Sequence, residues 1–358
     1  MKLFKNKKVI MVLSLLTVVF FAGCSNSNEP DGPGGPVGGG YQGGGKMLSY
    51  KVPDVPVLFA GLNTTGKHRE FDGLYGYTNH AAWGWSKHVQ GYAQANVDGQ
   101  TWHFFTNSGH NKGMILISNP ANQTSTIEIS GWSHPGGMQT IGNYLFVPME
   151  QHQDGRKNVE VWIYNVANGL SKDSKPIKQI KFGPDSSRYI YGPDLAGALG
   201  ITDFNYNGKD YYLMVIARYD QFYTYIAEVP QNMANVSFKF AGVTRINGKE
   251  TQGFGLITDD SNGVYMILTM SYYSAGEATY ADWAYLHKLS IDSTAKGFSV
   301  DINTPLDARR FYKTGGLKGV DGPHFRWAGG VYIHSSGLRL LTTSRNILNG
   351  KLDVNYYE

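Results

Sequence analysis

The sequence predicts an all-β fold assembled from five similar units, each of about four short strands. Three observations predict it. No long segment repeats its apolar residues every 3.6 positions, so no amphipathic helix organises the chain. Short apolar and aromatic runs alternate instead with Asn-Gly, Asp-Gly and Ser-Gly turns, in a chain holding 45 glycines and 24 tyrosines. Finally, a pattern of polar loop, Gly-led strand, tight turn and apolar strand recurs five times, most clearly over Ser133–Pro148.

The first residues stand apart from that body. Lys2, Lys5, Lys7 and Lys8 precede an apolar run, Val9–Phe21, too short to span a bilayer comfortably. The run ends in Phe21-Ala22-Gly23-Cys24, and Cys24 is the one cysteine of the chain. This resembles the lipobox of bacterial lipoproteins, with Phe21 where leucine is usual. The resemblance implies a signal peptide over residues 1–23, acylation of Cys24, and a cell-envelope protein whose membrane partner is reached through its lipid anchor. Residues 24–45 are Gly-rich and nearly lack apolar side chains, which predicts a disordered tether with a reach of about 25 Å. Residues 46–358 then form a single domain. With its cysteine acylated, that domain has neither disulfide nor thiol chemistry, and its length lets burial alone hold it.

Within the domain, Val55–Ala60 reads as an isolated strand, followed by a polar, aromatic stretch through His68, Tyr75, Tyr77, His80 and Trp83. The first unit comprises Gly91–Gly99, Thr101–Thr106, Met114–Ile117 and Ser125–Ile129. The second comprises Gly137–Ile141, Tyr144–Val147, Val159–Tyr164 and Ile177–Phe182. The third comprises Gly197–Thr202, Tyr211–Ala217, Phe222–Val229 and Val236–Ala241. The fourth comprises Gly253–Thr258, Val264–Met270, Trp283–Leu289 and Ala308–Tyr312. The fifth has three strands, Gly330–His334, Leu338–Thr343 and Leu352–Tyr356. Repeats of this size and strand count resemble the blades of a β-propeller. The expectation is five blades of four antiparallel strands, with the N-terminal strand Val55–Ala60 completing the fifth and removing an open edge. A degenerate sixth blade within Tyr50–Trp85 is the alternative. Glycine leads each unit because inner strands converge on the axis, where side-chain space is least.

Charge excludes one class of partner. Of 32 basic and 28 acidic residues, four lysines lie in the leader, so the remainder balances at 28 each. Nothing there attracts nucleic acid.

Aligning the units by their leading glycines gives the candidate site. The residues three before them are His88, His134, Asp194, Glu250 and, counting from Gly329 in the fifth unit, Arg326, all able to carry charge, and Trp85, Trp132, Asp321, His324 and Trp327 lie close by in sequence. Side chains at these positions ring one mouth of the axial channel, where His88, His134, Asp194, Glu250, His324, Arg326, Trp132 and Trp327 are the ligand-binding candidates. His88, His134, Asp194 and Glu250 are donors of the type that holds a divalent metal. Asp194, Glu250 and His134 are equally of the type that performs acid–base catalysis. Three functions fit: a ligand- or partner-binding propeller, a glycan-active hydrolase or lyase, and a structural component of an envelope complex. A carbohydrate or an envelope protein is the expected partner.

Two motifs carry nothing. Gly131-Trp132-Ser133-His134-Pro135 is similar to a G-x-S-x-G nucleophile elbow but lacks its last glycine and precedes a strand pair, not a helix. Asp98-Gly99-Gln100-Thr101-Trp102 is similar to the Asp-box turn of sialidase-type propellers, one residue short. Tyr272, Tyr273, Tyr280 and Trp283, and Tyr219, Phe222, Tyr223 and Tyr225, fit interfaces between blades better than sugar-stacking surfaces.

Overall fold

A computed structural model describes residues 48–74, 88–109, 112–151, 158–183, 189–248, 251, 253–273, 280–295, 297–316, 322–334 and 337–358. The leader, Cys24 and the tether lie outside the described residues, as do Glu250, Trp85 and Asp321. The described chain forms five antiparallel sheets arranged as a five-bladed β-propeller.

Chain order sets the blades. A short helix, α1 (Val55–Gly61), and strand β1 (Lys67–Phe71) come first. Blade one is β2 (Val89–Val97), β3 (Gln100–Asn107), β4 (Lys112–Ser118) and β5 (Thr124–Ser130). Blade two opens with the fragments β6 (His134–Pro135) and β7 (Gln139–Ile141). It continues through β8 (Tyr144–Gln151), β9 (Asn158–Asn165), β10 (Lys178–Gly183) and the added β11 (Ile190–Tyr191). Blade three is β12 (Ala198–Tyr206), β13 (Lys209–Arg218), β14 (Gln221–Glu228) and β15 (Lys239–Arg245). Blade four is β16 (Gly253–Thr258), β17 (Val264–Tyr273), β18 (Tyr280–Thr294) and β19 (Gly297–Phe311). Blade five is β20 (His324–His334), β21 (Gly337–Thr343) and β22 (Leu352–Tyr357), with β1 as its outer strand.

The ring is therefore closed by an N-terminal strand, but not by the predicted one. Val55–Ala60 is helical. Asp54 caps it, its carboxylate accepting the N–H of Val57 at 2.9 Å, and proline occupies the first turn. Val55 and Phe59, four residues apart, are buried together. The closing strand is β1, whose residues Lys67 to Phe71 pair with Tyr356 to Leu352. The segment before it contributes a cap and this strand, so residues 48–74 form no sixth blade. In blade three a single 3-10 turn (Met233–Asn235) delays the outer strand beyond the predicted Val236–Ala241.

Each blade packs its aliphatic and aromatic face against the next. Five buried clusters result, one per blade-to-blade interface, so the ring has five small cores and no common one. Of the candidate sugar-stacking aromatics, Phe222, Tyr223, Tyr225 and Tyr272 belong here, with Tyr225 and Phe222 fully buried, whereas Tyr280, expected at a blade interface, stands against Trp327 instead. Burial raises the Tyr225 phenol far above its ordinary range, and its hydroxyl donates to the Tyr191 carbonyl at 3.1 Å.

The leading glycines meet around the axis. A Cβ on Gly253 would lie 2.4 Å from the Cα of Gly329, and one on Gly91 would lie 2.8 Å from the Cα of Gly137. The side chain of Gln139 ties three inner strands at mid-depth. Its carbonyl accepts the N–H groups of Ile201 and Leu256, both at 2.9 Å, and its amide donates to the Leu256 carbonyl at 2.8 Å.

Hairpin turns connect first to second strands on one face. Asp98-Gly99 and Asn207-Gly208 each place two successive residues at positive φ, the type I′ geometry that suits strand twist. The N-terminal segment crosses that same face. Asp203, near the far end of β12, accepts from the Ser49 backbone and hydroxyl, both at 2.5 Å, and from Lys51 Nζ at 2.7 Å. Val52 then bridges to Asp259, just beyond β16. The opposite face carries the loops entering the inner strands.

Candidate functional site

Entrances to the inner strands and exits from the second strands share one face, because paired antiparallel strands run in opposite directions. This places His88, His134, Asp194, Arg326 and Trp327 at one mouth, together with Glu150, Arg218, Asp282 and Arg345, which position-counting from glycines did not select.

His88, His134 and Trp327 come together. The His88 ring lies 6.5 Å from that of His134 and 6.3 Å from that of Trp327, both edge-on. Both His88 nitrogens are engaged: Nδ1 with Ser108 Oγ at 3.2 Å and Nε2 with Gln90 Nε2 at 2.5 Å. A histidine held at both nitrogens is poorly disposed to bind a metal.

His134 stands directly across the ladder from Glu150. Glu150 is 2% exposed. One of its oxygens lies 3.8 Å from His134 Nδ1, an ion-pair distance, and the other accepts the N–H of Ala196 at 2.5 Å. A buried carboxylate fixed in this way stands beside the imidazole. Counting from His134 through the hairpin turn at Gly142-Asn143 leads to Gln151, one residue beyond Glu150. The interruption between β6 and β7 shifts that count by one residue.

Asp194 does not join the histidines. It is ion-paired with Arg218 at the exit of β13. His324 is 1% exposed and sits behind the mouth. Its Nδ1 lies 2.9 Å from Asp282 Oδ2, and Lys313 Nζ lies 2.8 Å from its Nε2. Lysine can only donate here, so Nε2 accepts and Nδ1 carries the proton toward Asp282. Asp282 also accepts from Ser271 Oγ and from the N–H of Phe325, at 3.1 Å for the latter. The cluster braces the start of β20, and with it Arg326 and Trp327.

Trp132 faces elsewhere. It meets Trp162 edge-on at 6.1 Å and joins the core between blades one and two. Trp327 instead forms an aromatic wall with Tyr280, whose ring is 5.9 Å away and nearly perpendicular. The Arg326 guanidinium lies 4.9 Å from the Tyr280 ring centre and 5.1 Å from that of Trp327, and the Arg345 guanidinium lies 5.0 Å from Trp327. Among the described residues, three buried polar atoms around this wall have no hydrogen-bond partner: Trp327 Nε1, Arg345 Nε and Gln90 Oε1. Among the described residues no three His, Cys, Asp or Glu side chains gather as a metal site would require.

No family model matches the chain, and no curated protein matches it. Solved structures are similar in fold. A GH32 beta-fructofuranosidase of Bombyx mori shares 10% identity at a TM-score of 0.40, covering 78% of this chain and 61% of its own, so this chain spans about three fifths of that enzyme. AofleA of Arthrobotrys oligospora shares 10% identity at a TM-score of 0.40, with 88% of this chain and 91% of that chain covered. An exo-1,5-alpha-L-arabinanase from a bovine ruminal metagenomic library shares 10% identity at a TM-score of 0.38, with 77% and 95% covered. Likeness of this degree assigns no function.

Proposed function

We propose that the mouth binds a saccharide and that His134, oriented by Glu150, transfers protons in cleaving it. One observation carries the reading: an aromatic wall of Trp327 and Tyr280 adjoins buried donors and an acceptor left unmatched among the described residues, and His88 stands between that wall and a histidine backed by a buried carboxylate. Sugar rings offer apolar C–H faces to aromatic walls and hydroxyls to unmatched polar atoms. Asp194 is a poorer candidate acid–base group than His134, because its carboxylate is already engaged by Arg218. A glycan-active enzyme accordingly fits this mouth better than a purely structural role.

The test is a polysaccharide panel incubated with the full chain, with binding and chain cleavage measured separately. Trp327→Ala is expected to lose binding. His134→Gln and Glu150→Gln are expected to keep binding and lose cleavage. A 4,5-unsaturated product identifies a lyase, and a saturated one a hydrolase. If the unaltered protein binds no glycan, or Trp327→Ala binds equally well, the reading is wrong.

The same proposal includes the envelope location read from Cys24. Ser49 and Lys51 are fixed to Asp203 on the face opposite the mouth.

A further inference from the structure

Resting on the saccharide reading above, we infer that the sugar recognised at this mouth is anionic, a uronate or a sulfated residue, and that its charge lies against Arg345 and Arg326. Both guanidinium groups stand about 5 Å from one indole, that of Trp327. Neither has a carboxylate within ion-pair distance among the described residues.

Among the described residues, the acidic groups of this face are engaged elsewhere. Asp194 holds Arg218, Asp282 holds His324, and Glu150 is divided between His134 and the Ala196 N–H. Two like charges on one ring repel each other, and they do so more strongly where water is displaced. Arg345 Nε is moreover buried and unmatched, and such a donor costs free energy until an acceptor arrives. Position adds to this. The Arg345 carbonyl accepts the N–H of Val89 at 2.9 Å, which fixes the residue beside Gln90, itself 1% exposed. A guanidinium fork matches the paired oxygens of a carboxylate or sulfate. An acidic sugar thus supplies a counter-charge for both arginines. A neutral sugar leaves the cations uncompensated.

Titration calorimetry of the full chain tests this with paired ligands: polygalacturonate oligosaccharides and their carboxyl-reduced forms, and a sulfated galactan and its desulfated form. At least one charged ligand is expected to bind tenfold or more tightly than its neutral partner, with affinity falling as salt is raised. The pair that shows the difference identifies carboxylate or sulfate. Arg345→Gln is expected to abolish the difference, and Arg345→Lys to retain part of it. Should Arg345→Gln not fold, the exposed Arg326→Gln serves in its place. Equal binding of charged and neutral partners overturns the inference and leaves the saccharide reading standing, as does discrimination that survives in both arginine variants. Binding of none of the four removes both.

Discussion

Gly253→Ala tests the geometry that makes the axis. The added methyl would lie 2.4 Å from both the Cα and the carbonyl oxygen of Gly329, and 2.5 Å from its carbonyl carbon. These are backbone atoms of the neighbouring inner strand, so no side chain can turn aside. Gly253 does not sit at positive φ, and the cost is therefore steric and not conformational. Overpacking of a well-filled interior typically costs about 1–3 kcal/mol, and a contact with backbone on both sides belongs at the upper end, about 3 kcal/mol. Domains of 150–250 residues lose about 2–4 °C in Tm per kcal/mol, so a fall of roughly 6–10 °C is expected in this somewhat larger body. Differential scanning calorimetry and urea unfolding measure it, the latter as a lower midpoint at unchanged slope. Gly61→Ala is the control: nothing lies within 4 Å of its added methyl, and the change is expected to be neutral or stabilising by about 0.4–1 kcal/mol. If Gly253→Ala melts with the unaltered protein, the inner strands do not meet as described.

Two further outcomes are expected. His103 is buried at the junction of blades five and one, with Tyr92 Oη 2.8 Å from its Nδ1 and Arg69 Nη1 3.2 Å from its Nε2. Burial first, then Arg69 and Arg339, hold its pKa well below the ordinary histidine value. The unfolded chain therefore takes up a proton that the folded one refuses. Stability is complete above pH 6.5 and declines as pH falls through 6.5 toward the folded value. Urea midpoints across pH 7.5 to 4.5 should show this decline flattened in His103→Gln, and an unchanged profile would refute the assignment. Cys24→Ser should abolish incorporation of labelled palmitate and release the protein from the membrane fraction. Equal labelling of the variant would end the lipoprotein reading.

Much of the architecture could be read before any coordinates. Glycines recur at one phase because inner-strand backbones touch, as Gly253 and Gly329 do, and Asp-Gly and Asn-Gly pairs mark hairpins because few other residues accept positive φ twice in succession. Val55–Ala60 misled because its valines suit a strand by composition, whereas Asp54 and Pro56 favour a helix start. Local capping prevailed. The closing strand, Lys67–Phe71, is too polar to stand out, since an outer strand has little to bury.

The site was legible only in part. Glycine phase alone pointed to His88, His134 and Arg326, with Trp327 beside them, and the fold carries all four to one mouth. Asp194 shared that phase, but its ion pair with Arg218 depends on the exit of β13. Glu150 depends on a register that the break between β6 and β7 displaces.

The chain by itself determined five Gly-led repeats, an all-β body and a neutral charge balance beyond its leader, because turn chemistry and strand periodicity are local. Ring closure determined the rest. Only when β1 joins β22 does blade five settle beside blade one, bringing Trp327 and Arg345 to His88 and Gln90 across more than two hundred residues of sequence. Unmatched polar atoms at that junction have no local signature, since being unmatched depends on what every other part of the chain fails to provide.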